Sequence, residues 1–391
     1  MVREASAPAT RVTRLSARDA ARRRDAFGSA RAWHSSCLGR GMRIAQIAPL
    51  YESVPPQLYG GTERIVSYVT EELVAMGHDV TLYAAGDSQT RAKLVSVCPQ
   101  SLRLAERCID TLAHHQLMLE MVSRDFHRYD IIHFHIDYLH FLSSRLLGLR
   151  NVTTLHGRLD LPDLKPLYAA FPEMPVVSIS DAQRLPLPEA NWVGTVKHGL
   201  PLELLPFTPT ASDYFAFVGR ISPEKRVDRA IEIATALGVK LRIAAKVDQA
   251  DRSYFEREIE PLFENALVEY VGEIGEADKA EFVGKARALL FPIDWPEPFG
   301  LVMIEAMACG TPVVAFEHGS VPEVMKEGVT GFIVRDMPSA IEAARRIGEL
   351  DREKVRSHFE AYFSAGRMAK EYVKIYARLI AESQGGQVHA A

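Results

Sequence analysis

Two carboxylates stand eight positions apart in the stretch WPEPFGLVMIEAMACGTPVVA, residues 295–315. Leu301, Val302, Met303, Ile304, Ala306, Met307 and Ala308 surround Glu305, so the helix expected over 299–309 is apolar all round and belongs in a core. A carboxylate in such a place costs several kcal/mol or stays protonated unless donors meet it. Those donors are either a structural partner, an Arg or backbone amides, or the hydroxyls of a ligand. Glu297 sits in DWPEPFG between two prolines, just after the apolar run ALLFP. Beside the amides of a helix start, an acid there can grip a polyhydroxyl compound: the carboxylate accepts from O–H groups and the amides donate to them.

Cations follow a similar logic in FVGRISPEKRVDRAIEIA, residues 217–234. The strand ends at Gly219, Ser222 reads as an N-cap and Pro223 as the first helical residue. Arg220 and Lys225 then bracket a helix start and make a site for a phosphate or diphosphate. Surface salt bridges with Glu224 or Asp228 are the plainer reading. In PPQLYGGTER (55–64), Gly60 and Gly61 let the backbone approach a ligand closely, although a Gly-Gly pair is more often only a turn. His156 ends the strand TTLH and is expected to face a cleft as a hydrogen-bonding partner. HFHID adds His133, His135 and Asp137. Alternate residues share one strand face, so a metal site is one reading and packing within the sheet the preferred one. Neither G-x-G-x-x-G nor a Walker loop occurs, and there is no D-x-D to cradle a metal–diphosphate.

The elements that must hold these residues alternate. MRIAQIA, DVTLYAA, DIIHFH, NVTTLH, PVVSIS and NWVGTVKH read as strands, with TERIVSYVTEELVAMG a helix capped by Thr62 and stopped at Gly77. GLPLELLPFTPTAS (199–212) has three prolines and no period, so it reads as a linker. The alternation then restarts with DYFAFVG, KLRIAA, LVEYVG, ALLFP, TPVVAF and TGFIV. The fold class is α/β: two doubly wound, Rossmann-like parallel-sheet domains facing a central cleft, with ligands beyond the carboxyl ends of the strands. The expected division is a tail over 1–41, a first domain over 42–200, a linker over 201–212, a second domain over 213–365 and a helix over 366–383.

Composition sets the class of partner. A net charge of −4 over 391 residues gives no reason to expect nucleic acid. The first 41 residues carry nine arginines against three acids and lack any period; they read as a disordered tail. A transit peptide is one account of that tail, and translation from Met42 the preferred one. Four scattered cysteines and no long apolar run fit a cytoplasmic protein, with membrane contact at most peripheral.

The joint pattern of Glu297 and Glu305 in EPFGLVMIEAMACGTPVVA, GRISPEK upstream and GVTGF downstream resembles the retaining family-4 glycosyltransferases of GT-B type. VPPQLYGGTER and AAKVD are similar to the branch that includes the avilamycin-type transferase. The resemblance runs from Met42 to the last helix. It implies a hexosyltransferase with a UDP- or GDP-sugar as donor substrate, no cofactor and no metal. It also implies a small-molecule, glycan or lipid-linked acceptor. By the same resemblance Arg220 and Lys225 hold the diphosphate, and Glu297 with the backbone of Phe299, Gly300 and Leu301 holds the sugar. Glu305 takes the ribose hydroxyls, the backbone near Ile274 faces the base, His156 touches the transferred sugar, and Gly61 approaches phosphate or acceptor. The last helix would pack back on the first domain. Arg226 departs from the pattern, which often has Gly after this Lys. A nucleotide-sugar epimerase or hydrolase, and a non-catalytic nucleotide-sugar binder, are the competing readings.

Overall fold

The computed structural model describes residues 41–57, 60–105 and 108–387; the expected tail, Gly41 apart, lies outside them. Seven strands form the first sheet: β1 (Arg43–Ile47), β2 (Asp79–Tyr83), β3 (Lys93–Val95), β4 (Ile131–Phe134), β5 (Asn151–Thr154), β6 (Val176–Ser178) and β7 (Trp192–Thr195). Six form the second: β8 (Tyr214–Arg220), β9 (Lys240–Lys246), β10 (Val268–Gly272), β11 (Ala288–Phe291), β12 (Val313–Phe316) and β13 (Gly331–Val334). The orders are β3-β2-β1-β4-β5-β6-β7 and β10-β9-β8-β11-β12-β13, and every pairing is parallel. Each sheet reverses its winding once, between β1 and β4 and between β8 and β11. Crevices open at such switch points, outside the carboxyl ends of the strands. Of these strands only β3, a short edge piece, was not anticipated.

Buried Val, Ile and Leu fill both faces of the sheets, as all-parallel strands require. Of the five helices α1 (Gly61–Ala75), α2 (Val227–Leu237), α3 (Glu276–Gly284), α4 (Leu301–Ala308) and α5 (Ala365–Gln387), the first, third and fourth put residues in the cleft wall. Two boundaries differ from expectation. Helix α1 is capped by Gly60 rather than Thr62. Helix α2 starts at Val227, four residues after Pro223, because Arg226 adopts a left-handed conformation (φ 52°) that cannot continue a helix. Residues 222–225 form a tight turn instead, closed by Lys225 N–H donating to the Ser222 carbonyl at 3.1 Å.

The chain passes between the lobes twice, and the two passages lie side by side. Leu200 N–H donates to the Phe363 carbonyl at 2.9 Å, and Ala365 N–H to the Leu200 carbonyl at 2.8 Å. Gly199 makes this approach feasible, since a Cβ there would sit 2.4 Å from the Ser364 carbonyl oxygen. After the second passage α5 lies against α1 and the first sheet, with Tyr372 and Tyr376 fully buried.

Candidate functional site

The carboxyl ends of both sheets open into one cleft of about 780 Å³. The ten residues given a role by the resemblance line it: Gly61 and His156 from the first lobe, and Arg220, Lys225, Ile274, Glu297, Phe299, Gly300, Leu301 and Glu305 from the second. Arg220 is the last residue of β8 and Lys225 closes the turn that follows. Ile274 follows β10, and Glu297 follows β11, the strand beside β8 across the switch point. Gly61 opens α1 directly opposite Leu301, which opens α4: a Cβ on Gly61 would lie 3.4 Å from Leu301 Cδ1. Two helix N-termini therefore converge on the cleft, each with a partial positive charge and unpaired amides.

Glu297 is held from three directions. Its carboxylate pairs with Lys225 and accepts from the Trp295 indole N–H at 2.8 Å. Its carbonyl accepts from Ser320 N–H at 3.0 Å, while Ser320 Oγ–H donates to the Phe299 carbonyl at 2.9 Å. Gly319 makes this clamp feasible. It is left-handed (φ 53°), and a Cβ there would come within 2.4 Å of the backbone N and O of Glu297. Gly300, also left-handed at φ 77°, turns the chain into α4. Trp295 and the Gly319–Ser320 pair escaped sequence reasoning, because no pattern links residue 319 to residue 297.

Glu305 is 4% exposed, and its partner is Lys279 of α3, whose Nζ donates to Oε1 at 2.7 Å. The acid in the apolar helix thus has a structural donor already; Lys279 also lines the cleft. Arg220 is surrounded by acids. It pairs with Glu224, as the plainer sequence reading had it, and approaches Asp251 at 3.4 Å and Asp248 at 3.7 Å. Arg226 bonds Asp228 and Asp294 rather than the cleft.

The first-lobe wall is a run of imidazoles. His156 Nε2 lies 2.9 Å from His135 Nδ1, and His135 Nε2 lies 2.8 Å from Gln46 Oε1. Gln46 Nε2 donates to the Tyr376 hydroxyl at 3.2 Å, which is 2.6 Å from His133 Nδ1; His133 Nε2 is 2.7 Å from Thr154 Oγ1. Both ring nitrogens of His133 are therefore taken within the fold. Burial holds all these rings neutral: it takes His156 down to about 3 and His133, His135 and His198 well below the usual imidazole value. His198 stacks on His156 (centroids 5.4 Å apart, 17° between planes). Asp137, in a left-handed conformation (φ 50°), also faces the cleft, and desolvation raises it to about 6.

Contacts bridge the lobes beside the cleft. Arg64 of α1 pairs with Glu276 at the start of α3, and Tyr68 O–H donates to the same carboxylate at 3.1 Å. On the other side the Glu323 carboxylate accepts from the backbone amides of Asp181 and Ala182 at 2.8 and 2.7 Å. Among the described residues, no helix is long and apolar enough to cross a membrane, and no three His, Cys, Asp or Glu side chains are grouped to hold a metal ion.

Comparison with known proteins places each lobe. Residues 59–182 match the family model described as Glycosyltransferase Family 4, and residues 207–362 that described as Glycosyl transferases group 1. A D-inositol 3-phosphate glycosyltransferase of Mycolicibacterium smegmatis is 32% identical over 192 residues, 44% of this chain and 42% of that protein. Its counterpart in Mycolicibacterium paratuberculosis is 34% identical over 140 residues, 35% and 30% of the two chains. The chain thus spans less than half the length of these curated relatives. Three solved structures share the fold. AviGT4, a glycosyltransferase involved in avilamycin A biosynthesis, superposes with a TM-score of 0.69 at 23% identity, over 87% of this chain and 98% of its own. Sucrose-phosphate synthase of Thermosynechococcus elongatus gives 0.71 at 20%, over 87% and 100%. Anabaena HepE in complex with UDP and glucose gives 0.66 at 17%, over 85% and 98%. With one glycosyltransferase model on each lobe and two parallel sheets facing a shared cleft, the chain belongs to the glycosyltransferases of GT-B architecture.

Proposed function

We propose that this protein transfers a hexosyl group from a UDP- or GDP-sugar to a hydroxyl of a small-molecule, glycan or lipid-linked acceptor, with retention at the anomeric carbon and without a metal. One observation carries the proposal: acids, bases and helix ends chosen from the sequence for this chemistry line a single cleft. Its volume suits a small-molecule site. In this reading the diphosphate lies against Arg220 and Lys225, the transferred sugar between Glu297 and His156, and the ribose near Glu305. The bond from C1 to the phosphate oxygen breaks and its electron pair leaves with the diphosphate. The acceptor oxygen bonds C1 on the same face and its proton passes to the departing phosphate. Arg220, Lys225 and the amides at the helix starts stabilise the charge that develops on the leaving group. The sequence has no D-x-D pair to cradle a metal–diphosphate, which supports giving that charge to the two cations.

The diphosphate must compete with acids already on those cations. Lys225 is shared with Glu297, and Arg220 with Glu224, Asp248 and Asp251. A doubly charged ligand bonded by both cations is a stronger partner than a lone carboxylate. Lys225 is then the hinge of the site: it touches the carboxylate assigned to the sugar and stands where the diphosphate is assigned.

Titration calorimetry against a panel of UDP- and GDP-sugars in excess EDTA tests the proposal. We expect one nucleotide series to bind and to raise the melting temperature, since ligand at 100 times Kd adds about 2.7 kcal/mol of stability. Folded protein that gives no heat with any of them overturns the reading; binding that needs a divalent ion overturns its metal-free part.

A further inference from the structure

The chain of polar groups behind His156 has a direction, and that direction decides which nitrogen of His156 carries its proton. Its links are short and buried: His156 to His135, His135 to Gln46, Gln46 to Tyr376, Tyr376 to His133. Each link holds one proton, so fixing one fixes all. Gln46 turns Oε1 to His135 and Nε2 to Tyr376. The oxygen can only accept, so His135 carries its proton on Nε2 and leaves Nδ1 bare. His156 must then donate from Nε2, which leaves its own Nδ1 as a lone pair. That Nδ1 is buried and has no partner in the fold. The reverse polarity would put an orphaned N–H at the same point, and orphaned buried N–H groups are rarer in folded proteins than underused acceptors. The far end agrees. Tyr376 accepts from Gln46 and donates to His133 Nδ1, and His133 Nε2–H is left to donate to Thr154 Oγ1.

We infer that Gln46 and Tyr376 are positioning residues. Through His135 they lock His156 in the Nε2–H tautomer and leave its buried, unpartnered Nδ1 as a bare acceptor behind the cleft wall. This deepens the reading of His156 as a contact of the transferred sugar, and the tautomer itself does not rest on that reading. Gln46 lies on β1 and Tyr376 on α5, 330 residues apart in sequence, so the last helix takes part in setting the chemistry of the first-lobe wall. Burial that keeps both imidazoles neutral supports the arrangement, because a charged ring donates from both nitrogens and would erase its direction.

Nitrogen-15 NMR of the histidine rings in the full-length protein, without ligand at pH 7, reads the result directly. His156→Gln identifies the signals. We expect a protonated Nε2 and a bare Nδ1 on His156 in the wild type. Gln46→Met removes the acceptor that orients His135, and Tyr376→Phe removes the hydroxyl that receives the Gln46 amide N–H and leaves the amide free to turn over. In either variant the Nδ1 signal should move toward the protonated position, while the cooperative melt is kept. A protonated Nδ1 in the wild type overturns the inference whatever the variants do. So does an unchanged His156 in whichever variant folds. A protein that shows the expected tautomer but binds no nucleotide-sugar would sink the proposed function and leave this inference standing.

Discussion

Lys225→Ala is the sharpest test of the site. The Lys225 side chain is 20% exposed, and its ammonium pairs with the Glu297 carboxylate and lies 5.2 Å over the Trp295 ring. A hydrogen bond to a charged group is worth about 1.5–3 kcal/mol, which is roughly ten- to over a hundredfold in rate. Truncation also strands Glu297, 12% exposed, with the indole N–H as the donor to its carboxylate named above. Breaking a buried pair in this way costs about 3–5 kcal/mol. The first figure sets the expected loss in kcat/KM, about 10- to 10²-fold, and the second shows in the melt. The assay is release of nucleotide from the donor found by calorimetry, with a urea melt of the same preparation. The Glu297→Gln background separates two roles, because loss of the sugar-holding carboxylate by itself lowers turnover. If Lys225 only balances a buried acid, adding Lys225→Ala to Glu297→Gln costs no further turnover. If Lys225 also meets the diphosphate, the double variant turns over more slowly than Glu297→Gln while melting alike in urea. Wild-type kcat/KM in Lys225→Ala, or equal turnover of the double variant and Glu297→Gln, refutes the assignment.

Three further outcomes are expected. Gly319→Ala combines a left-handed backbone penalty of about 1–2 kcal/mol with a Cβ pressed on the backbone of Glu297. It should therefore melt lower than Gly328→Ala, whose glycine is left-handed (φ 69°) with nothing within 4 Å, and only the first should raise the KM for donor; equal behaviour of the two removes the clamp. Lys279→Met leaves the Glu305 carboxylate unpaired in its apolar helix and should lose about 3–5 kcal/mol in urea titration, with most of it regained on adding Glu305→Gln. His133, His135, His140 and His198 are all held neutral by burial well below their ordinary value. The unfolded chain binds more protons at these sites below pH 6.5, so their contribution is complete above that pH and is lost as pH falls. Each adds a slope of about 1.4 kcal/mol per pH unit, and His133→Gln should flatten the acid limb of a stability–pH curve by about one such step.

Much of this was readable from pattern. Period-two and apolar runs located twelve of the thirteen strands, because parallel strands are buried on both faces and write that into their composition. Glu297 and Glu305 stood out because acids are rare in such surroundings. What escaped depends on distance or on a single dihedral angle. Nothing near Glu305 announces Lys279, 26 residues earlier on another helix. Ser222 and Pro223 carry every local sign of a helix start, yet the left-handed Arg226 moves it to Val227. Arg226 fills the place where the family pattern often has Gly, and that place is left-handed here, a conformation glycine adopts without strain. Gln46, His135 and Tyr376 meet only after both sheets and α5 are assembled, so no window of sequence holds them together.

The return of α5 to the first sheet sets a timetable for the chain as it is made. By the time Thr195 of β7 has been added, every strand of the first sheet exists, but His133 and Gln46 still lack the hydroxyl of Tyr376. At ordinary synthesis rates that group arrives roughly 10–40 s later, after the whole second lobe. Through that interval the nascent first lobe exposes the apolar strip meant for α5 together with unsatisfied imidazoles, and its maturation is tied to that of its neighbour.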